Sequence, residues 1–187
     1  MENKKIGIFV GSLRKEANSK KIAKNIINLA PEGFDFEVIE IGQLPLYNQD
    51  FDEPNETPET YIEFRKAVKS LDGVLFITPE YNRSVPAVLK NAVDVGSRPP
   101  KENVWTKKPG AVISSSTGSI SGFGANHHLR QSLSAVNVLT MPQPEMYLAK
   151  LSPESFNEDG SFKEQKTLDF LQKFINAYVA WFQQLTK

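Results

Sequence analysis

The sequence has no cysteine. That absence excludes disulfides, thiolate catalysis, iron–sulfur ligation by Cys and any Cys-based zinc site. It also lacks excess charge, since 22 basic and 22 acidic side chains cancel to a formal net charge of zero. A balanced surface offers no pull toward nucleic acid, a membrane surface or a polyanionic partner. Long apolar runs are missing too. Met1-Glu2-Asn3-Lys4-Lys5 leads into too few apolar residues for a signal peptide or a membrane span, so the expected location is cytoplasmic. Histidine is confined to the adjacent pair His127 and His128, with no carboxylate cluster at ligand spacing, which favours a structural or interface role over a metal site. What remains is ordinary globular composition over 187 residues, enough for one domain spanning 1–187 with a sizeable core.

One short stretch organises the chain. The apolar run Ile6-Gly7-Ile8-Phe9-Val10 reads as a strand, and Ile22, Ala23, Ile26, Ile27 and Ala30 fall at helical spacing. Between them lies a polar loop with Ser12, Arg14, Asn18 and Ser19. A strand–loop–helix junction aims free backbone N–H groups and the positive end of a helix dipole at one spot, which stabilises an anion. Hydroxyls, an amide and a guanidinium add phosphate-binding groups. The alternative is an ordinary helix start with Asn18 or Ser19 as N-cap.

The same unit recurs. Phe34–Ile39 reads as a second strand, and Gly42–Pro58 is a long polar loop whose acidic part, Asp50 to Glu59, is most simply solvated. A helix carrying Tyr61, Phe64, Val68 and Leu71 leads to the apolar strand Gly73–Thr78. Pro79-Glu80-Tyr81-Asn82-Arg83-Ser84 follows, with Ser84 expected to cap the next helix. Gly110–Ile113 is a fourth strand, and it empties into the Ser/Gly-rich loop Ser114–Gly122. A helix with Leu129 and Leu133, a short fifth strand Val138–Met141 and a helix from Leu168 to Phe182 complete the order. Five β-α units predict a doubly wound, three-layer α/β domain built on a five-stranded parallel sheet. Trp105 and Trp181 suit packing or subunit contact.

In such sheets ligands bind beyond the carboxyl ends of the strands. The loops after strands one, three and four fall there together. The first suits a phosphate. Pro79, Glu80, Tyr81 and Asn82 offer a stacking face and backbone groups for a ring edge, while Ser115, Ser116, Thr117 and Gly118 permit close backbone approach. A phosphate site beside a site for a polar-edged ring describes a mononucleotide, and FMN fits. Turn chemistry explains each loop singly but the three less well jointly.

Several motifs together resemble a known family: Gly11-Ser12-Leu13-Arg14-Lys15, Pro45-Leu46-Tyr47-Asn48-Gln49-Asp50, Thr78-Pro79-Glu80-Tyr81-Asn82, Ser84-Val85-Pro86, Leu89-Lys90-Asn91-Ala92, and Ser115-Ser116 through His128-Leu129-Arg130-Gln131. They look like the NADPH-dependent FMN reductases, a group that includes quinone, azo and chromate reductases. The resemblance implies a flavodoxin-like fold with sheet order 2-1-3-4-5, non-covalent FMN, and homodimers or homotetramers with the flavin near a subunit interface. Carried over, Ser12, Arg14, Asn18 and Ser19 bind the FMN phosphate. Pro79, Glu80, Tyr81 and Asn82 line the ring, and Ser115, Ser116, Thr117 and Gly118 close its other side. Two positions depart from the pattern: Ala17 stands where many relatives have Ser, and Gly124 where relatives often have Arg.

The expected chemistry is ping-pong transfer of electrons from NADPH or NADH, through FMN, to a small-molecule acceptor such as a quinone, azo dye, flavin or metal oxyanion. No residue is needed as nucleophile or base, because the flavin carries the hydride and the protein positions it. Glu80 as a general acid is therefore disfavoured. The rival is a flavodoxin-type electron carrier without its own turnover, although such carriers are strongly acidic and this chain is neutral. A P-loop hydrolase is excluded, since no Gly-Lys-Ser/Thr closes the first loop.

Overall fold

The computed structural model describes residues 2–53 and 55–186. Met1, Pro54 and Lys187, on which the expectations for the N-terminal segment, the acidic loop and the full domain span partly fall, lie outside the described residues.

Four parallel strands form the frame: β1 (Lys4–Val10), β2 (Phe34–Val38), β3 (Gly73–Pro79) and β4 (Pro109–Ser115). Their residues sort by parity, as pleating requires. Ile6, Ile8, Val10, Leu75, Ile77, Ala111 and Ile113 face one core, into which α1 (Asn18–Asn28) and α5 (Gln165–Leu185) pack. Phe9, Val74, Phe76 and Val112 face the other, covered by α2 (Glu59–Lys69), α3 (Ala87–Gly96) and α4 (Phe123–Ala135). Burial on both faces is why these strands read as continuous apolar runs.

The strand order is 2-1-3-4-5. Its fifth position is divided. β5 is only Leu139–Thr140 and pairs with the start of β4, while a further strand, β6 (Met146–Leu148), pairs with its end. Pro142 and Pro144 fall in the gap, where their missing N–H groups cannot serve the ladder. The expected strand Val138–Met141 is therefore shorter, and the sheet has six strands in five positions.

Two expected caps are not made. The N-cap of α1 is Ala17, and neither Asn18 nor Ser19 closes it. The N-cap of α3 is Pro86 rather than Ser84. The acidic loop is only partly solvated as well. Asp52 has a side chain just 10% exposed, gripped by Arg98 at 2.6 and 2.8 Å and by the Tyr47 hydroxyl at 3.0 Å. Burial first, then Asp52, raises the Tyr47 phenol above its usual range. Asn91 on α3 holds the same loop, accepting from Tyr47 N at 2.8 Å and donating to the Pro45 carbonyl at 2.8 Å. The ion pair and three hydrogen bonds on Oδ2 offset part of the desolvation of Asp52, while its Oδ1 has no hydrogen-bond partner among the described residues and only Arg65 at 3.9 Å. Trp105 and Trp181 both pack. Trp105 is fully buried, and the Trp181 indole donates to the Leu139 carbonyl at 2.9 Å.

Candidate functional site

The site is built where the first helix begins. Gly11 N donates across to the Ile77 carbonyl at 2.9 Å, fixing the exit of β1 against β3. Gly11 sits in a tight place: a Cβ there would lie 3.0 Å from Pro79 and 3.2 Å from Leu89, so either neighbour would have to give by a few tenths of an ångström. The chain then turns through Ser12 and Arg14 into α1, where Asn18 and Ser19 precede the first intrahelical bond, from Lys20 N to the Ala17 carbonyl at 3.0 Å. Ser12 and Ser19 are buried, and Arg14 is exposed. The Ser19 hydroxyl has no hydrogen-bond partner among the described residues.

A hollow of about 200 Å³ lies at the carboxyl ends of β1, β3 and β4. From the first loop it is lined by Ser12, Arg14, Asn18 and Ser19, together with Ala17. Pro79, Glu80 and Tyr81 line it from the second, and Ser115, Ser116 and Thr117 from the third. Ten of the twelve residues expected at the site thus meet in one place. Asn82 and Gly118 do not line it. Asn82 occupies the tip of a two-residue reverse turn, and Gly118 is engaged within its own loop, where its N–H meets the Ser116 hydroxyl at 3.2 Å.

The second loop is a miniature hairpin. Tyr81 N donates to the Ser84 carbonyl at 3.1 Å and Ser84 N returns the bond at 3.0 Å. Asn82 and Arg83 both have positive φ, 50° and 67°. Asn tolerates that region, whereas for Arg83 it costs about 1 kcal/mol. The Glu80 carboxylate is turned to α4, accepting from Ala125 N at 3.1 Å and lying 3.6 Å from Arg83. Ser84 Oγ lies 3.0 Å from His128 Nδ1, in hydrogen-bond contact. Its neighbour His127 instead meets the Tyr147 hydroxyl at 3.1 Å. Burial, then Glu145, pushes the Tyr147 phenol up to about 12. The two histidines therefore serve different partners.

One brace escaped the sequence reading. Leu151 N donates to the Ser116 carbonyl at 3.1 Å, and Asn18 Nδ2 donates to the Leu151 carbonyl at 3.3 Å. The segment after β6 thereby ties the first and third site loops together. No motif marks it, because main-chain groups make both bonds except for one side-chain amide.

A parallel sheet of order 2-1-3-4-5 with a polar-lined hollow beside its β1/β3 switch point defines a flavodoxin-like protein. Residues 4–152 match the family model described as NADPH-dependent FMN reductase. A quinone reductase of Pseudomonas putida is 48% identical over 176 residues, covering 94% of this chain and 93% of that protein. A 2-hydroxy-1,4-benzoquinone reductase of a Burkholderia species is 42% identical over 177 residues, covering 95% of each. Among solved structures, the flavoenzyme NAD(P)H:(acceptor) oxidoreductase FerB from Paracoccus denitrificans superposes with a TM-score of 0.89 at 39% identity, covering 97% of this chain and 98% of that one. The chain belongs to the NADPH-dependent FMN reductase family and is an oxidoreductase. No described helix is long and apolar enough to cross a membrane.

Proposed function

We propose that the three-loop hollow holds FMN and that the protein passes electrons from NADPH or NADH to a quinone, with azo compounds, flavins and metal oxyanions as further acceptors. The observation that carries the reading is the Ser19 hydroxyl, buried at the mouth of α1 without a hydrogen-bond partner among the described residues. A buried polar group without a partner is costly, and a phosphate oxygen satisfies it. Ser12, Arg14, Asn18 and Ser19 hold the phosphate. Pro79, Glu80 and Tyr81 border the ring on one side and Ser115, Ser116 and Thr117 on the other, with Asn82 and Gly118 supporting those two loops. When bound, FMN supplies the hydride acceptor and donor, so the protein's part is binding, orientation and charge.

Quinone as the acceptor follows the relatives that are 42% and 48% identical. The exposed apolar side chains Leu13, Tyr81, Ile120 and Phe123 come from the site loops and the start of α4, and they suit a flat apolar acceptor or a second copy of the chain. We infer a single functional unit over 1–187, assembling as a homodimer or homotetramer and drawing on the cytoplasmic NAD(P)H pool.

The test is a visible spectrum of the purified protein after FMN is added and the excess removed, followed by NADPH without air. Retained flavin bands that bleach and return with a quinone support the reading. Bands that neither NADPH nor NADH bleaches indicate an electron carrier, and no retained flavin overturns it. Arg14→Ala is expected to weaken FMN binding by about 1.5–3 kcal/mol, the typical size of a charge-assisted hydrogen bond. Titration by flavin fluorescence quenching checks this, and an unchanged Kd removes Arg14 from the site.

A further inference from the structure

Glu80 sits in the ring-bordering loop, yet its carboxylate is spent elsewhere. α4 begins at Phe123 behind Gly122, whose lack of a side chain leaves the helix with no cap of its own. Glu80 supplies one from 45 residues away, accepting from Ala125 N at 3.1 Å with a side chain only 10% exposed. A carboxylate at a helix N-terminus satisfies a free donor and complements the dipole. The contact is tight. A Cβ on Gly124 would lie 2.5 Å from the Arg83 carbonyl and 3.0 Å from Glu80 Oε2, so hairpin and helix meet with no space between them. A second tie, Ser84 Oγ to His128 Nδ1 at 3.0 Å, joins the far end of the hairpin to the next turn of α4.

The third site loop runs directly into α4. Ser114 Oγ, at the end of β4, donates to the Ser121 carbonyl at 2.9 Å and accepts from Asn126 Nδ2 at 3.2 Å, so the exit of that loop and the first turn of α4 are pinned together. Fixing the hairpin to α4 therefore fixes the spacing of the two loops that face each other across the hollow. We propose that Glu80 is a positioning residue: through Ala125 N it latches the Tyr81–Ser84 hairpin to α4 and sets the width of the ring slot. Among the described residues, the other side-chain hydrogen bond on the hairpin, Ser84 to His128, is exposed. The Arg83–Glu80 pair contributes little, because the Arg83 side chain is 70% exposed. This inference rests on the proposal that a flavin ring occupies the slot, but the latch itself belongs to the flavin-free protein.

The experiment compares wild type, Glu80→Ala, Glu80→Gln and Gly124→Ala. Amide hydrogen exchange is measured on the flavin-free proteins, and FMN affinity by titration. Glu80→Ala is expected to speed exchange at Tyr81, Ser84 and Ala125 about tenfold and to weaken FMN binding about tenfold, the size of one charge-assisted hydrogen bond. The β-sheet amides are expected to stay at wild-type rates, which a general loss of stability would not allow. Glu80→Gln keeps an acceptor oxygen at the same reach and is expected to restore both values to within about threefold. Gly124→Ala pushes hairpin and helix apart by a different route and is expected to reproduce the Glu80→Ala pattern, which guards against a poorly folding Glu80→Ala protein. Unchanged hairpin exchange in both Glu80→Ala and Gly124→Ala overturns the latch. Faster exchange with unchanged FMN affinity overturns its role in the slot, as does a Gln variant as impaired as Ala. If wild type binds no FMN, the flavin proposal and the slot role fail together, while the exchange data still decide the latch.

Discussion

Riboflavin, which carries the FMN ring without its phosphate, is expected to bind this protein about a thousandfold more weakly than FMN. The argument is local to the start of α1. A phosphate ester brings a charge of about −1.5 to −2 and three acceptor oxygens to a place that offers cationic and neutral donors together. Ser12 and Ser19 hydroxyls, the Asn18 amide and the Arg14 guanidinium all border that end of the hollow. The first turn of α1 adds unpaired N–H groups and the positive pole of its dipole. Three charge-assisted bonds at the lower end of their range sum to about 4.5 kcal/mol, which is the stated thousandfold. Arg14 is exposed and screened by salt, whereas Ser12 and Ser19 are buried, so most of the discrimination survives at high ionic strength. Parallel fluorescence titrations with the two flavins decide it. A ratio below about tenfold would mean that the first loop is a turn and not a phosphate cradle.

The alternation of strands and helices and the meeting of three loops were legible from residues because each rests on a strong local signal, whereas the sheet order came from the family resemblance. Runs such as Val74-Leu75-Phe76-Ile77 are apolar on both parities only when both faces of a strand are covered, and the structure covers both. Parallel strands bring every loop after a strand to the same rim, so polar loops after β1, β3 and β4 had to converge. What was not legible depends on partners far away in sequence. Glu80 reads as a loop carboxylate, and only the fold reveals that its acceptor role serves Ala125. Asp52 reads as one more acid in a solvated stretch, yet Arg98, Arg65 and Tyr47 converge on it from separate elements. Asn18 and Ser19 have the composition of caps but sit one and two positions past Ala17, and that offset leaves Ser19 free for a ligand. The divided fifth strand was not legible: Pro142 and Pro144 fall in its gap, and β6 is too short for periodicity to register.

Replacing Trp105 by Ala is expected to be the most destabilising single change in the protein's core, at about 3–5 kcal/mol. The indole is fully buried between β1, β3 and α2, in edge-on contact with Phe9 at 5.1 Å and Phe64 at 6.1 Å, and tilted over Phe76 at 5.7 Å. Its Nε1 donates to the Val93 carbonyl at 2.9 Å. Gly96 leaves the space it occupies, since a Cβ there would lie 2.4 Å from Nε1. Such a hole cannot close, because three aromatic neighbours are held by sheet and helix backbone rather than by flexible loops. For a domain of this length each kcal/mol shifts the melting temperature by about 2–4 °C, so the flavin-free variant should melt about 6–20 °C lower. The flavin-free form is the one to compare, because a ligand bound only to the folded state would mask part of the loss. Trp105→Phe retains most of the apolar volume and gives up the indole bond, but the Val93 carbonyl still accepts from Ser97 N at 3.2 Å. That variant is therefore expected to lose less than half as much. A Trp105→Ala protein melting within about 2 °C of wild type would show that this side of the sheet relaxes freely. The link to the site runs through Phe9. It leans on Trp105 and lies two residues before Gly11, so a core that sags there loosens the exit of β1 and with it the loop proposed to grip the phosphate.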